Sequence, residues 1–289
     1  MPMNVGDIVT RKSYNHDVNF IVEGISNDQV TLSGVHYRLH ADALESDLDV
    51  IGTRGVSEQL QTSESRPVTK AEDTRGIKNS LFGWIKDEDS HELNHPSDHL
   101  PPLLIGKRFV RILHIDANEH YLNKSLSQYE KFDLPVTGFS IPEELQPDFI
   151  LGLLQKYQPN ILVLTGHDAV SKDRHAAQTI NGYLNSKYFV EAIHTAREFN
   201  RNYDELVIIA GGCKSYYEAL MEAGANFASS PNRVMISITE PVNIACKIAA
   251  SSIRTVVSMD NIAKVISSGF EGFGGIETRG QCREIKPMF

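Results

Sequence analysis

Apolar and polar positions along the chain fall into three regimes, and each predicts a different kind of structure. Over residues 4–51, short β-rich runs at 5–10, 19–25, 29–34, 37–39 and 48–51 are separated by Gly, Asn and Asp. Short strands punctuated in this way predict a small antiparallel β-barrel, SH3-like in size, spanning residues 1–51. Over residues 52–102 the periodicity disappears and Ser, Glu, Asp, Lys, Thr and His dominate, ending in Pro96 and Pro101-Pro102. That composition predicts a flexible polar linker between two domains. Its one apolar patch, 81–85, holds Trp84, the chain's single tryptophan, and predicts a short segment that packs on a neighbour.

From residue 103 to 289 the pattern becomes an alternation of strands and helices. Strands are expected at 108–116, 135–141, 161–165, 205–210 and 233–238. The helices between them carry apolar residues at helical spacing: Tyr121, Leu122, Leu126 and Tyr129 after a capping Asn118; Leu145, Phe149, Leu153 and Leu154; Phe189, Ile193 and Ala196. A helix over 216–223 stops at Gly224, and Glu240-Pro241 opens an apolar one that runs through Ala250. Strands alternating with helices of this length predict an α/β fold with a mostly parallel, doubly wound sheet and right-handed crossovers.

Composition narrows the function classes. A net charge of −9 argues against general affinity for nucleic acid or anionic membranes, which rest on clustered Lys and Arg. No apolar run approaches the ~20 residues of a membrane span, and the first nine residues do not read as a signal peptide. Cys213, Cys246 and Cys282 make an odd number without CxxC spacing, which points away from a disulfide framework or a zinc site and toward the cytoplasm. No metal or organic cofactor is called for. The Gly-rich run 269–275 lacks the strand–GxGxxG–helix context of a nucleotide fingerprint and reads as a mobile loop bordering a cleft.

The candidate chemistry lies at two strand ends. Residues 160–168 read NILVLTGHD and residues 205–213 read ELVIIAGGC. Each is an apolar run, then small residues, then a reactive side chain, with a helical stretch between. A βαβ unit puts both strands in one sheet and sets His167 and Cys213 at the same carboxyl edge. Gly212 and Gly166 let backbone N–H groups approach a substrate carbonyl closely there, as oxyanion or substrate-binding positions. Cys213, with a helix following and Lys214 beside it, is expected to aim its sulfur at a helix amino end, where thiolate is favoured. His167 is the matching general base. Asp168 has three open roles: orienting the imidazole, supplying a main-chain N–H, or binding a cationic side chain. His114 and Asp116 end another strand at that edge, where a structural role is favoured, and Cys246 reads as core.

Four blocks carry a family resemblance: 164–169 (LTGHDA), 211–215 (GGCKS), 223–231 (AGANFASSP) and 274–280 (GGIETRG). In this order they resemble the YabG sporulation-specific protease family, along with the opening Val5-Gly6-Asp7 and nearly all of 105–280. The resemblance implies an endopeptidase of the mother-cell cytoplasm of a spore-forming bacterium, associated with the spore coat, with spore coat and related proteins as substrates. It carries the catalytic pair over to Cys213 and His167. The two strand ends also resemble the caspase–gingipain arrangement, which implies a caspase- or flavodoxin-like sheet and cleavage after Arg or Lys. Here Gly166 precedes the histidine where that superfamily has glycine after it, so the oxyanion N–H would be that of Asp168. An acidic wall for a basic substrate side chain would use Asp168 or Glu277. The linker is then the expected place of self-cleavage, for instance at Arg75. The alternative is a non-catalytic scaffold whose N-terminal barrel recruits coat proteins.

Overall fold

The computed structural model describes residues 3–53 and 110–283, apart from Arg38 and Arg174. The expected linker at 52–102, with Arg75 and Trp84, therefore lies almost wholly outside the described residues.

The N-terminal segment forms β1 (Asp7–Arg11), β2 (Asn19–Ser26), β3 (Gln29–Gly34), β4 (His40–Leu44) and β5 (Leu48–Thr53). They make a five-stranded antiparallel sheet in the order β4-β3-β2-β1-β5. Alternate residues Val9, Phe20, Val22, Val30, Leu32 and Ala43 form its core, as period-2 patterning requires. The fourth strand lies later than the expected 37–39. Gly34 N donates to Leu39 O at 2.7 Å and closes that stretch into a loop, so pairing resumes at Ser33–His40.

The main sheet contains β6 (Ile112–Asp116), β7 (Val136–Ser140), β8 (Ile161–Thr165), β9 (Val207–Ala210) and β10 (Phe227–Ser229). Farther along the chain come the short β11 (Val256–Val257), β12 (Phe273–Gly275) and β13 (Thr278–Arg279). The six-stranded sheet runs β12-β10-β9-β8-β6-β7. All its pairs are parallel except β10 with β12, so the sheet is mixed.

Helices cover both faces of this sheet. They are α1 (Glu119–Glu130), α2 (Gln146–Tyr157), α3 (Ser186–Phe199), α4 (Tyr217–Glu222), α5 (Glu240–Ala250), α6 (Met259–Ala263) and α7 (Gly269–Gly272). Leu113, Ile115, Leu162, Leu164, Ile208 and Ala210 face Phe149, Leu153, Phe189 and Ile193 of α2 and α3. The alternate positions Ile112, Ile161, Val163, Val207 and Ile209 face Tyr129 of α1 and Val242, Ala245 and Ala249 of α5. Local signals set the helix ends. The Asn118 side chain accepts from His120 N and Tyr121 N at 2.9 and 3.3 Å, and Gly224 after α4 takes φ +112°.

Two expectations are corrected here. Residues 233–238 form no strand, with Arg233 at φ +56° and a single isolated bridge between Tyr37 and Ser237. The place beside β10 is taken by β12, and the backbone of 234–236 is engaged by the Cys213 loop instead. The Gly-rich run, read as a mobile loop, is α7 followed by strand β12. Its glycines serve packing: a Cβ at Gly274 would meet the Tyr217 hydroxyl at 2.4 Å, and one at Gly275 would meet Phe227 at 2.4 Å.

Candidate active site

Strands β6, β8 and β9 all end at the carboxyl edge of the main sheet, where loops meet in open α/β folds. The loop after β8 holds Gly166-His167-Asp168, and the loop after β9 holds Gly211-Gly212-Cys213. They touch through backbone. A Cβ on Gly212 would lie 2.3 Å from Gly166 O and 3.3 Å from Asp168 N, so only glycine fits. His167 and Cys213 each follow this contact by one residue.

His167 sits in a built environment. Its backbone N–H donates to Glu143 Oε1 at 2.6 Å, and its Nδ1 lies 3.4 Å from the same oxygen. Glu143 is 8% exposed, in the 3-10 turn Glu143–Leu145 that precedes α2. The imidazole also packs against Tyr121 and His40, both with ring centroids 5.3 Å away. Its Nε2 is buried and makes no hydrogen bond among the described residues. The sequence reading missed Glu143, which looked like an ordinary acidic residue at a helix start. Gly166 was the available signal: a Cβ there would fall 2.5 Å from Glu143 Oε1, so the glycine makes room for the carboxylate.

Cys213 is 3% exposed and belongs to the core on the face opposite α4, so its sulfur is not aimed at the amino end of the helix that follows it. Sγ accepts from Ile236 N at 3.3 Å and approaches Ile236 O at 3.7 Å. It packs with Ile236 and Val242, whereas Leu220 of α4 belongs to the core on the other face. The reason is local backbone geometry. Gly211 at φ +107° and Lys214 at φ +60° turn the chain on either side of the cysteine, sending its side chain away from α4. Lys214 N is held by Ser230 Oγ at 2.9 Å, and the Lys214 side chain is exposed.

Asp168 is a clasp. Oδ1 accepts from Ala169 N and Asn185 N, both at 2.9 Å. Oδ2 accepts from Ser215 Oγ at 3.0 Å and from Ser186 Oγ. Those hydroxyls in turn accept from Gly212 N at 2.9 Å and Tyr216 N at 2.8 Å. One buried carboxylate thus joins the β8 loop, the β9 loop and the start of α3. Burial pushes its carboxyl above the ordinary range, outweighing the four donors that favour the ionised form. With every contact internal, Asp168 is no wall for a substrate cation.

Glu277 is exposed and lies at the opposite edge. Gly275 pairs with Phe227 at the start of β10, Ile276 N donates to Asn226 O, and Arg279 pairs with Asp204 just before β9. The path from Gly275 to Arg279 therefore runs along the amino ends of the strands, away from His167. Gly212 also differs from the expectation of an oxyanion donor, because its N–H is taken by Ser215 Oγ and its carbonyl accepts from Ser229 Oγ at 2.7 Å.

His114 and Asp116 are completely buried. Thr165 Oγ1 donates to Asp116 Oδ2 at 2.8 Å, and the His114 ring reaches Thr165 Oγ1 and Tyr129 OH, each at 3.1 Å. They lock β6 to β8 beneath the site, a structural use. Cys246 is buried in the core at α5. Among the described residues, no group of His, Cys, Asp and Glu is arranged to hold a metal, and no helix is long and apolar enough to cross a membrane.

Residues 4–287 match the family described as YabG peptidase U57. The sporulation-specific protease YabG of Bacillus subtilis (strain 168) is 37% identical over 293 aligned residues, which cover 98% of this chain and 97% of that protein.

Proposed function

The chain belongs to the YabG peptidase U57 family, and from that premise we propose a cysteine endopeptidase of sporulation, with Cys213 as nucleophile and His167 as general base. The observation that carries this reading is the backbone contact of Gly212 with Gly166, which sets both groups on touching loops at one sheet edge. Glu143 adds the third part. With one face of the ring edge toward its carboxylate, the Nδ1 side is occupied and Nε2 is the nitrogen left to exchange a proton with the thiol.

The reaction begins with the Cys213 sulfur turning from the Ile236 backbone and attacking a peptide carbonyl carbon. The thiol proton passes to His167 and then to the leaving amine, and water hydrolyses the thioester. Positioned acid–base catalysis of this kind contributes about 10²–10⁴-fold. The amides of His167 and Gly212 already serve Glu143 and Ser215, so we assign the oxyanion donor on the His167 side to the Asp168 N–H. One such donor is worth about 10²–10³-fold.

Cleavage after basic residues is carried by the strand-end resemblance, since the positions of Asp168 and Glu277 take them out of that role. The resemblance to the YabG family assigns spore coat and related proteins as substrates and the mother-cell cytoplasm as the place of action. The composition of the chain supports the division into an N-terminal domain, a linker open to self-cleavage and a catalytic domain. Cys213→Ala is expected to abolish cleavage of labelled casein while leaving the circular dichroism spectrum unchanged. Proteolysis at the parental rate in that variant would remove the cysteine mechanism, and absence of hydrolysis by the parent itself would favour the scaffold reading.

A further inference from the structure

We infer that His40, carried by the N-terminal sheet, is a positioning residue of this centre, so that the site is complete only with that sheet docked. The inference rests on the peptidase reading for its catalytic meaning. The contact that starts it is the packing of the His40 ring on the His167 ring at 5.3 Å, tilted by 55°. Tyr121 lies at the same distance from His167 with a 45° tilt, and Glu143 holds the ring's Nδ1 side. The imidazole therefore has two rings and a carboxylate to define its orientation, and one ring comes from a different sheet.

The stretch that delivers His40 is fastened to the main sheet at several points. Tyr121 OH donates to Leu39 O at 3.0 Å, and Lys124 Nζ donates to Val35 O. Ile238 N donates to His36 O at 3.3 Å, and Tyr37 bridges to Ser237. These ties also reach the segment whose Ile236 backbone holds the Cys213 sulfur. The N-terminal sheet thus touches the supports of both proposed catalytic groups.

His40 is itself oriented. Its Nε2 lies 3.0 Å from Glu23 Oε2, while Glu23 Oε1 accepts from Ser33 Oγ and, at 3.5 Å, from Asn118 Nδ2. The bond to His40 holds the Glu23 carboxyl down at about 2, so it is ionised throughout the working range. The bond to Glu23 raises His40 above the ordinary histidine range against the opposing effect of burial, with the fields of Glu23, Glu143 and Asp42 adding to it. The groups facing His40 are therefore Glu23, Asp42, Glu143 and His167. A cationic His40 beside His167 disfavours a second positive charge at the site. At 5.3 Å, with the His40 side chain 42% exposed, a water-like dielectric applies. An isolated unit charge at that separation is worth about 0.5 on the pH scale, and the Glu23 carboxylate beside His40 makes this the upper limit of its effect.

The test uses the full chain and measures kcat/KM against pH with fluorescein-labelled casein, counting only the hydrolysis lost in Cys213→Ala. In His40→Gln the acid limb is expected to move up by as much as about 0.5 and the optimum rate to fall about threefold or more, with the fold retained. His40→Lys, which keeps the charge, returns the limb toward the parental position. Glu23→Gln tests the same link through the His40 resonance, because losing the carboxylate also removes a counter-charge from the site. Histidine resonances of full-length Cys213→Ala supply the second measurement: His40 titrates above ~6.5, falls back in Glu23→Gln, and its titration is felt at the His167 ring. A folded His40→Gln with a superposable acid limb overturns the inference while leaving the peptidase reading intact. If His40→Gln does not fold, Glu23→Gln and the resonance titration decide. Absence of Cys213-dependent hydrolysis in the parent removes the peptidase reading instead, and the resonance titration still decides whether His40 acts on His167.

Discussion

Replacing Asp168 with alanine is the sharpest test of how the two loops are held together. The carboxylate is 9% exposed and accepts two backbone amides and two serine hydroxyls. Ser186 and Ser215 each already accept a backbone N–H, so the one proton each hydroxyl carries is directed to Asp168. Alanine leaves two amides and two hydroxyl protons without their acceptor. At about 1–3 kcal/mol for each stranded group, partly relieved by rotation of the hydroxyls, the loss is about 4 kcal/mol. At about 2–4 °C per kcal/mol for a chain this large, the melting temperature should fall by about 10 °C. Asp168→Asn keeps Oδ1 for both amides and should cost less than half as much. The pH dependence has a definite sign. Because burial raises this carboxyl above its ordinary 3.8, the native state holds the proton more tightly than the unfolded chain. Its stabilising contribution is complete below that ordinary value and is lost as pH rises through the native one. Asparagine does not titrate, so the gap in melting temperature between parent and Asp168→Asn should narrow from pH 4 to pH 7. Calorimetry at both pH values measures this. A gap that widens refutes the burial argument, and an Asp168→Ala variant that melts within about 2 °C of the parent but binds substrate poorly would make Asp168 a substrate contact instead.

Glu143→Gln keeps an oxygen for the His167 N–H but removes the charge beside Nδ1; losing a charge-assisted interaction of about 1.5–3 kcal/mol predicts a roughly 10–100-fold drop in casein hydrolysis at nearly parental melting temperature. Parental activity would make that carboxylate purely structural. Gly212→Ala forces a Cβ to within 2.3 Å of Gly166 O, so the loops must separate. Overpacking of about 1–3 kcal/mol and loss of hydrolysis are expected, and an unchanged melting curve would contradict the loop contact. Glu23, held near 2 rather than 4.5, contributes stability that is present above 4.5 and lost as pH falls through about 2. Urea midpoints of parent and Glu23→Gln should therefore converge between pH 5 and pH 2, and a constant separation would count against the His40 pairing.

The strand ends were legible because their signal is local. Four or five apolar residues, rich in Ile and Val and followed by Thr-Gly or Gly-Gly, favour a buried strand leaving a sheet, and β8 and β9 do pair in parallel at Leu164–Ala210. Which edge a reactive residue occupies follows from strand direction alone. What its side chain touches does not. Cys213 was expected to face a following helix, yet two left-handed residues at Gly211 and Lys214 rotate it to the other face of the sheet. Residues 233–238 had a strand's composition, but a later antiparallel strand holds the place beside β10, and strand pairing is a competition between segments distant in sequence. Glu143 and His40 were illegible for the same reason: an acidic helix start and a histidine on a short strand each have an ordinary local explanation. Their position beside His167 depends on how the α2 turn and the N-terminal sheet dock on the carboxyl edge. The glycines were the partial exception. Gly166 and Gly212 record close approach in their own residue type, because a single methyl group at either would strike Glu143 or the opposing loop. A glycine directly before a reactive side chain thus reports that something packs there, and the identity of that neighbour is the part only the three-dimensional arrangement supplies.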